Sequence, residues 1–338
     1  MSEIRQDIVS GDWVIMVPER AKRPDQLFAK KEKRKPTPKA TCPFEDLRGT
    51  GNWPPHFLVP NDEKKWRVAV IPNKYPALAH GEQCADIHHR GPYAYRKGVG
   101  YHDLVVGRDH FRNIADLPPK ATLEIFEAMQ RRFRMAEEDD CLAYVSTFFN
   151  WGPLAGASLY HPHYQMLTLP FIPPEVEGSL GGSKRYFKKH HRCVHCDVLK
   201  YERKAKTRVV DENARAIAVA PFVPKSRMEV SIYPKRHEPF FEKTPRRDLL
   251  DIIIVLKSTL QRMRKYLADP DLNFFIHTGP IKDQKKYAHY HWHIDVIPKI
   301  FPPPGGFELS TGTDINVFDP DWLTAVLHGR RPPHPLSS

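Results

Sequence analysis

One pattern occurs twice along the 338 residues of this chain and limits what it can fold into. His161-Pro162-His163 opens the apolar run Tyr164 to Pro170, and His291-Trp292-His293 opens Ile294 to Pro298. From position 161 to position 291 the offset is 130 residues. What precedes each His-x-His repeats in the same order. Ala121 to Glu138 spaces Leu123, Phe126, Met129 and Phe133 as an amphipathic helix does. Asp248 to Leu267 does so with Leu249, Ile252, Ile253, Leu256, Leu260 and Met263. A β-type run follows each helix: Ala143 to Asn150, then Leu272 to His277. Before each helix a strand leads to a histidine, Asp103 to Val106 before His110 and Glu229 to Tyr233 before His237. Arg67 to Pro72 and Ala216 to Pro221 lie earlier still.

Agreement over several elements in one order predicts a duplicated α+β fold, mostly antiparallel sheet with flanking helices. Between the halves, Phe171 to Lys189 contains Pro173-Pro174 and the small residues Gly178 to Ser183, which read as linker. The halves are then 1–178 and 179–338.

The repeated histidines have metal-ligand companions. In the second half Cys193, Cys196, His237 and His291 make a Cys2His2 set of the kind structural zinc takes. In the first half the matching set is Cys42, Glu45, His110 and His161, with a carboxylate in place of one thiolate. That set should hold zinc more weakly, or stand empty. The five cysteines are odd in number and sparse, which argues against a disulfide framework.

His163 stands two residues beyond His161, so on a strand both point to one side. A neutral imidazole held by its other nitrogen can attack phosphorus. Gln165 points the same way and donates hydrogen bonds without ionising. It cannot deliver a proton to split a phospho-histidine, so transfer is favoured over hydrolysis. Asn150-Trp151-Gly152-Pro153-Leu154-Ala155-Gly156-Ala157-Ser158 leads into the motif. Its small residues let backbone approach an anion, and Asn150 and Ser158 can donate to phosphate oxygens. A net charge of +12 suits an anionic partner. Much of the excess sits in Lys30 to Lys39, which reads as a solvated, proline-broken connector. No DNA- or RNA-binding motif accompanies it, so nucleic acid is not the expected partner. No apolar run reaches the length of a membrane span, and the N-terminus does not read as a secretory signal. A cytoplasmic protein is expected.

These residues together resemble the galactose-1-phosphate uridylyltransferase family, within the histidine-triad superfamily. The resemblance rests on Asp7 to Val14, Glu19 to Pro24, Pro72 to Leu78, Asn150 to Gln165, and Gly306 to Leu309 with Ile315-Asn316. It implies a duplicated histidine-triad-like fold and a ping-pong transfer of UMP between an NDP-sugar and a sugar 1-phosphate or inorganic phosphate. His163 would be the carrier. Arg20, Arg23, Asn73, Asn150, Ser158, Gln165 and Glu308 would contact nucleotide or phosphate. The family also implies zinc and a homodimer. Glu45 stands where the family has a second cysteine, and Phe301 to Pro304 lacks a basic residue found in classical members. Gly306 to Gly312 is closer to the branch containing plant ADP-glucose phosphorylases, so an ADP-sugar phosphorylase or adenylyltransferase is the first alternative. A histidine-triad hydrolase using His289-Tyr290-His291-Trp292-His293 is another. A third is a zinc-stapled module that binds nucleotide or nucleic acid.

Overall fold

The computed structural model describes residues 2–20, 34–79, 84–300 and 304–330. The first half runs β1 (Glu3–Gln6), β2 (Trp13–Met16), β3 (Phe57–Val59), β4 (Val68–Pro72), β5 (His88–Arg90), β6 (Tyr93–Tyr95) and β7 (Tyr101–Gly107). Helix α1 (Pro119–Glu137), β8 (Tyr144–Trp151) and β9 (His163–Leu169) complete it. After α2 (Pro174–His190) and α3 (Val194–Ala205) come β10 (Val209–Glu212), β11 (Ala216–Val219) and β12 (Val230–Pro234). Helix α4 (Arg246–Tyr266), β13 (Asp271–His277) and β14 (His293–Lys299) follow. The chain closes with α5 (Gly306–Thr311), β15 (Asp314–Asn316) and α6 (Pro320–Leu327).

Ten strands form one sheet in the order β3-β4-β7-β9-β8-β13-β14-β12-β11-β10. Every neighbouring pair is antiparallel. The first five strands belong to one half, and the last five repeat them in mirror order. Register makes the duplication explicit. Gln165 faces Phe148, and Asp295 faces Phe275. Phe148 in turn faces Phe275 across the seam of β8 and β13. Leu104 lies opposite Gln165 and Ser231 opposite Asp295, so one row of matched residues crosses the middle of the sheet.

Side chains alternate along these strands. Tyr164, Met166, Phe149, Phe274, Ile294 and Val296 turn to one face and join a single buried cluster. There they meet Leu123, Phe126 and Met129 of α1 and Ile252, Ile253 and Leu256 of α4. Both helices begin where the sequence periodicity placed them, within two residues, with prolines at the starts. The other face of the sheet carries His163, Gln165, His293 and Asp295. A separate three-stranded sheet joins β1, β2 and β15.

Three features differ from the sequence reading. Gly178 to Ser183, expected as linker, lie inside α2. Pro173 and Pro174 start this helix rather than break it, Glu175 and Glu177 occupy its first turn, and Lys188, Lys189 and His190 its last. Gly182 sits so close to the Val9 carbonyl that a β-carbon would not fit, so the small residues serve packing. Arg34, within the expected solvated connector, is pinned instead. Its guanidinium donates to Asp271 at 2.9 Å, to Asp269 at 2.7 Å and to the Asp269 and Pro270 carbonyls. A planar fork of five donors matches that array of oxygens. Finally, Cys84 and Cys141 are disulfide-bonded across 57 residues of sequence, with Cα atoms 5.1 Å apart. The bond is single rather than a framework, and Cys42, Cys193 and Cys196 are free.

Gly152 turns the chain out of β8 with φ of +86°, and a β-carbon there would run into the Asp271 carboxylate. That carboxylate accepts from Leu154 N–H and from Arg34. Gly152→Ala is expected to lower unfolding stability by roughly 2–4 kcal/mol. The midpoint of denaturant unfolding checks this, and an unshifted midpoint would show that the turn adapts without strain.

Candidate active site

His163 begins β9 with a buried ring. Its Nδ1–H donates to the His161 carbonyl at 2.9 Å. That bond leaves the Nε2 lone pair without a proton. Burial lowers the pKa of the ring against the opposing effect of the carbonyl, so the neutral form is held. Phe44 packs against the ring at a centroid distance of 5.3 Å.

His161 is oriented the opposite way. Its Nε2–H donates to the Gly107 carbonyl at 2.7 Å, at the end of β7. Nδ1 then faces Cys42 Sγ at 3.5 Å and Glu45 Oε1 at 3.7 Å. His110 follows the same rule, with Nε2–H donating to Thr37 O at 2.7 Å and Nδ1 lying 2.9 Å from Glu45 Oε1. Cys42, His110 and His161 cluster within metal-ligand range, and Glu45 meets the two imidazoles from outside that group of three. In the second half His291 donates through Nε2–H to Pro234 O and His237 to Ala288 O, each at 2.9 Å. Their Nδ1 atoms lie 3.4 Å and 3.6 Å from Cys196 Sγ, and Cys193 Sγ is 4.0 Å from His291 Nδ1. Carbonyls behind both imidazoles fix the tautomer that a metal-ligating histidine needs. Two thiols facing two bare nitrogens is a donor set that fits zinc; one thiol, one carboxylate and two imidazoles fit it as well. Seven of the eight residues proposed from sequence thus fall into one group of four and one of three, with Glu45 beside the second.

Gln165 lies on the His163 side of β9, half-buried. Its Oε1 accepts from His102 Nε2–H at 2.9 Å. Asn150, at the end of β8, accepts through Oδ1 from Asn273. That leaves its amide nitrogen over the Gly152-to-Ser158 turn, near the position a Gly156 β-carbon would take. Ser158 is exposed in that turn. Asn73 caps Tyr75 N–H through Oδ1 and lays Nδ2 against the His102 ring, 3.1 Å from Nε2 and 3.5 Å from Nδ1, the nitrogen without a proton and so the one able to accept from it. Arg20 is exposed in the turn after β2, beside the small sheet. Arg23 lies outside the described residues. Glu308 holds the start of α5 through Gly305 N–H. It lines a cavity of about 580 Å³ with Lys225, Arg227, Lys299 and Leu154, the last from the turn before His163. His102 was absent from the sequence reading. Its contact with Gln165 depends on the register of β7 against β9.

The second half repeats the geometry around different chemistry. His293 Nδ1–H donates to the His291 carbonyl at 3.1 Å, as His163 does to His161. Where Gln165 stands in the first half, Asp295 stands here, accepting from Ser231 Oγ at 2.5 Å and lying 3.1 Å from His277 Nε2. Burial opposes its charge, but His293, His277 and Ser231 outweigh that and keep the carboxylate ionised. An anion meets a hydrogen-bond donor on one side and a carboxylate on the other.

No protein-family model matches the chain, but individual relatives span it. ADP-glucose phosphorylase of Arabidopsis thaliana is 35% identical over 329 residues, 96% of this chain and 92% of that protein. Galactose-1-phosphate uridylyltransferase of Thermotoga maritima is 26% identical over 302 residues, 88% of this chain and 87% of that one. Among solved structures, Arabidopsis ADP-glucose phosphorylase with bound ADP-glucose superposes with a TM-score of 0.82 at 32% identity, covering 98% and 100% of the two chains. A uridylyltransferase superposes with 0.73 at 26%, covering 97% and 98%. Fold and relatives together define a nucleotidyltransferase built on a duplicated α+β fold. The chain belongs to the galactose-1-phosphate uridylyltransferase family. No helix among the described residues is long and apolar enough to cross a membrane.

Burial depresses the His161 and His293 rings to about 4. Unfolded, each would titrate near 6.5, so between these values the unfolded chain binds more protons. Stability is therefore complete above pH 6.5 and falls as pH drops toward 4, by up to about 3 kcal/mol for each ring. Denaturant unfolding from pH 7.5 to 4.5 measures this. Burial raises the Glu229 and Glu242 carboxyls, which contribute the opposite slope, so the comparison is with His293→Phe: superimposable profiles for the two proteins would contradict the neutral, buried assignment of that ring.

Proposed function

We propose that the chain moves a nucleoside monophosphate between an NDP-sugar and a sugar 1-phosphate or inorganic phosphate, with His163 as covalent carrier. The observation that carries this reading is the orientation of His163. Its Nδ1–H is held by a carbonyl, and its unprotonated Nε2 shares a strand face with Gln165. Nε2 attacks the α-phosphorus, the bond to the bridging oxygen breaks, and the sugar 1-phosphate leaves. An oxygen of the acceptor phosphate then attacks the same phosphorus, and the nitrogen–phosphorus bond breaks. Gln165 donates to a phosphoryl oxygen throughout, without supplying the proton that hydrolysis would use. Asn150, Ser158 and Asn73 serve the phosphate and nucleoside sides.

The carried nucleotide has two forms. UMP follows the galactose enzymes. AMP has the Arabidopsis relative on its side, at higher identity and with ADP-glucose bound in its structure. Zinc in both donor sets completes the reading; it would tie loop to sheet and fix the carbonyl that orients His163. The halves 1–178 and 179–338, whose boundary falls inside α2, then divide the labour, one catalytic and one structural. A cytoplasmic homodimer belongs to the same proposal, with Arg20 and Glu308 among the substrate contacts.

Incubation with UDP-glucose or ADP-glucose, followed by intact-mass measurement, is expected to show one covalent UMP or AMP per chain. His163→Ala should show none. An adduct that survives this substitution would move the chemistry to another residue, and no adduct from either donor would remove the covalent mechanism.

Metal analysis of the purified chain is expected to find two zinc ions, the first-half ion leaving first under a chelator because Glu45 replaces a thiolate. Cys196→Ser should lose one ion and roughly 4 kcal/mol of stability. Zinc-free protein of undiminished stability would refute the assignment.

A further inference from the structure

The direction in which Gln165 faces is not free. Ala77 N–H points at His102 Nδ1 from 3.1 Å, and a backbone N–H can only donate. In neutral His102, Nδ1 is therefore the acceptor and the proton sits on Nε2. That proton is 2.9 Å donor-to-acceptor from the side-chain oxygen of Gln165. With its oxygen engaged, Gln165 has only its NH2 group to offer on the His163 side. The Asn73 backbone N–H adds a bond to the His102 carbonyl at 2.8 Å, so the segment from Asn73 to Ala77 grips both ends of the residue.

Register shows what stands at this place in the other half. Gln165 faces Leu104 and Asp295 faces Ser231, so two residues earlier His102 corresponds to Glu229. The first half has a His–Gln pair with its donor turned outward. The second has a Glu–Asp pair. Burial and the Asp295 charge raise the Glu229 carboxyl. These two differences leave nitrogen donors in one half and carboxyls in the other.

We propose that His102 is a positioning residue for nucleotidyl transfer, which locks the Gln165 carboxamide with its NH2 toward the phosphoryl group on His163. This rests on His163 as the carrier. Without His102 the amide rotates, and in half its orientations it presents oxygen to an anion. The reactive histidine is untouched, so covalent nucleotide still forms, but slowly.

The test is a double-mutant cycle on the full chain, read by the single-turnover rate of adduct formation and by steady-state kcat and KM. His102→Phe is expected to lower the single-turnover rate and kcat by about 10- to 100-fold, less than removal of a donor outright, with KM for the nucleotide sugar changed little. His102→Gln, which can still donate to Gln165, should recover most of the loss. In a Gln165→Ala background, His102→Phe should have almost no further effect, because the group it positions is gone. Equal losses in both backgrounds would overturn the proposal, as would an unchanged kcat in His102→Phe. Should His102→Phe fold poorly, His102→Leu, which likewise cannot donate to Gln165, takes its place in the same cycle. Failure of the carrier reading is distinct: the wild-type chain itself would then form no adduct.

Discussion

Backbone carbonyls decide what each histidine in this protein can do. Within both His-x-His motifs the two rings are held in opposite tautomers only two residues apart. The first ring of each pair gives its Nε2–H to the end of a neighbouring strand, at Gly107 or Pro234, and faces sulfur with Nδ1. The second gives its Nδ1–H to the carbonyl of the first and leaves Nε2 without a proton, toward Asp295 in the case of His293. Metal-type and nucleophile-type imidazoles are thus made from one residue type by the bond at the back of the ring. If the sheet were loosened at β7 or β12, both the donor sets and the reactive ring would lose their definition.

From that base the two halves diverge through their neighbours. His163 and His293 share backbone geometry. Gln165 and His102 give the first pocket hydrogen-bond donors, while Asp295 and Glu229 fill the second with acid. Asp295 is in turn engaged by Ser231 and His277. The second pocket is a satisfied polar cluster and the first has nitrogen donors to spare.

Much of this was legible before any coordinates. The helices Pro119–Glu137 and Arg246–Tyr266 came from apolar spacing, since amphipathic periodicity survives in sequence whatever the topology. The clusters of Cys193, Cys196, His237 and His291 and of Cys42, His110 and His161 were both legible from the repeat. His102 did not, because only β7–β9 pairing brings it to Gln165, and pairing partners are set by the whole sheet. Cys84 and Cys141 escaped for the same reason. Gly178 to Ser183 misled in another way. Small residues read as chain breakers, yet here they let α2 approach Val9, and packing overrode local propensity. Arg34 was hidden by composition: a basic run looks solvated until one member finds two carboxylates and two carbonyls.

The seam between β8 and β13 has a further meaning. Phe148 and Phe275 occupy equivalent positions and pair with each other, so the junction has the self-complementarity of a twofold contact. Two identical chains could have met edge to edge in this manner, but each would then have carried the same pocket. Joining the copies in one polypeptide removed that restriction. Each inherited pocket could change alone, one toward donors and one toward acid, while the seam kept its symmetry.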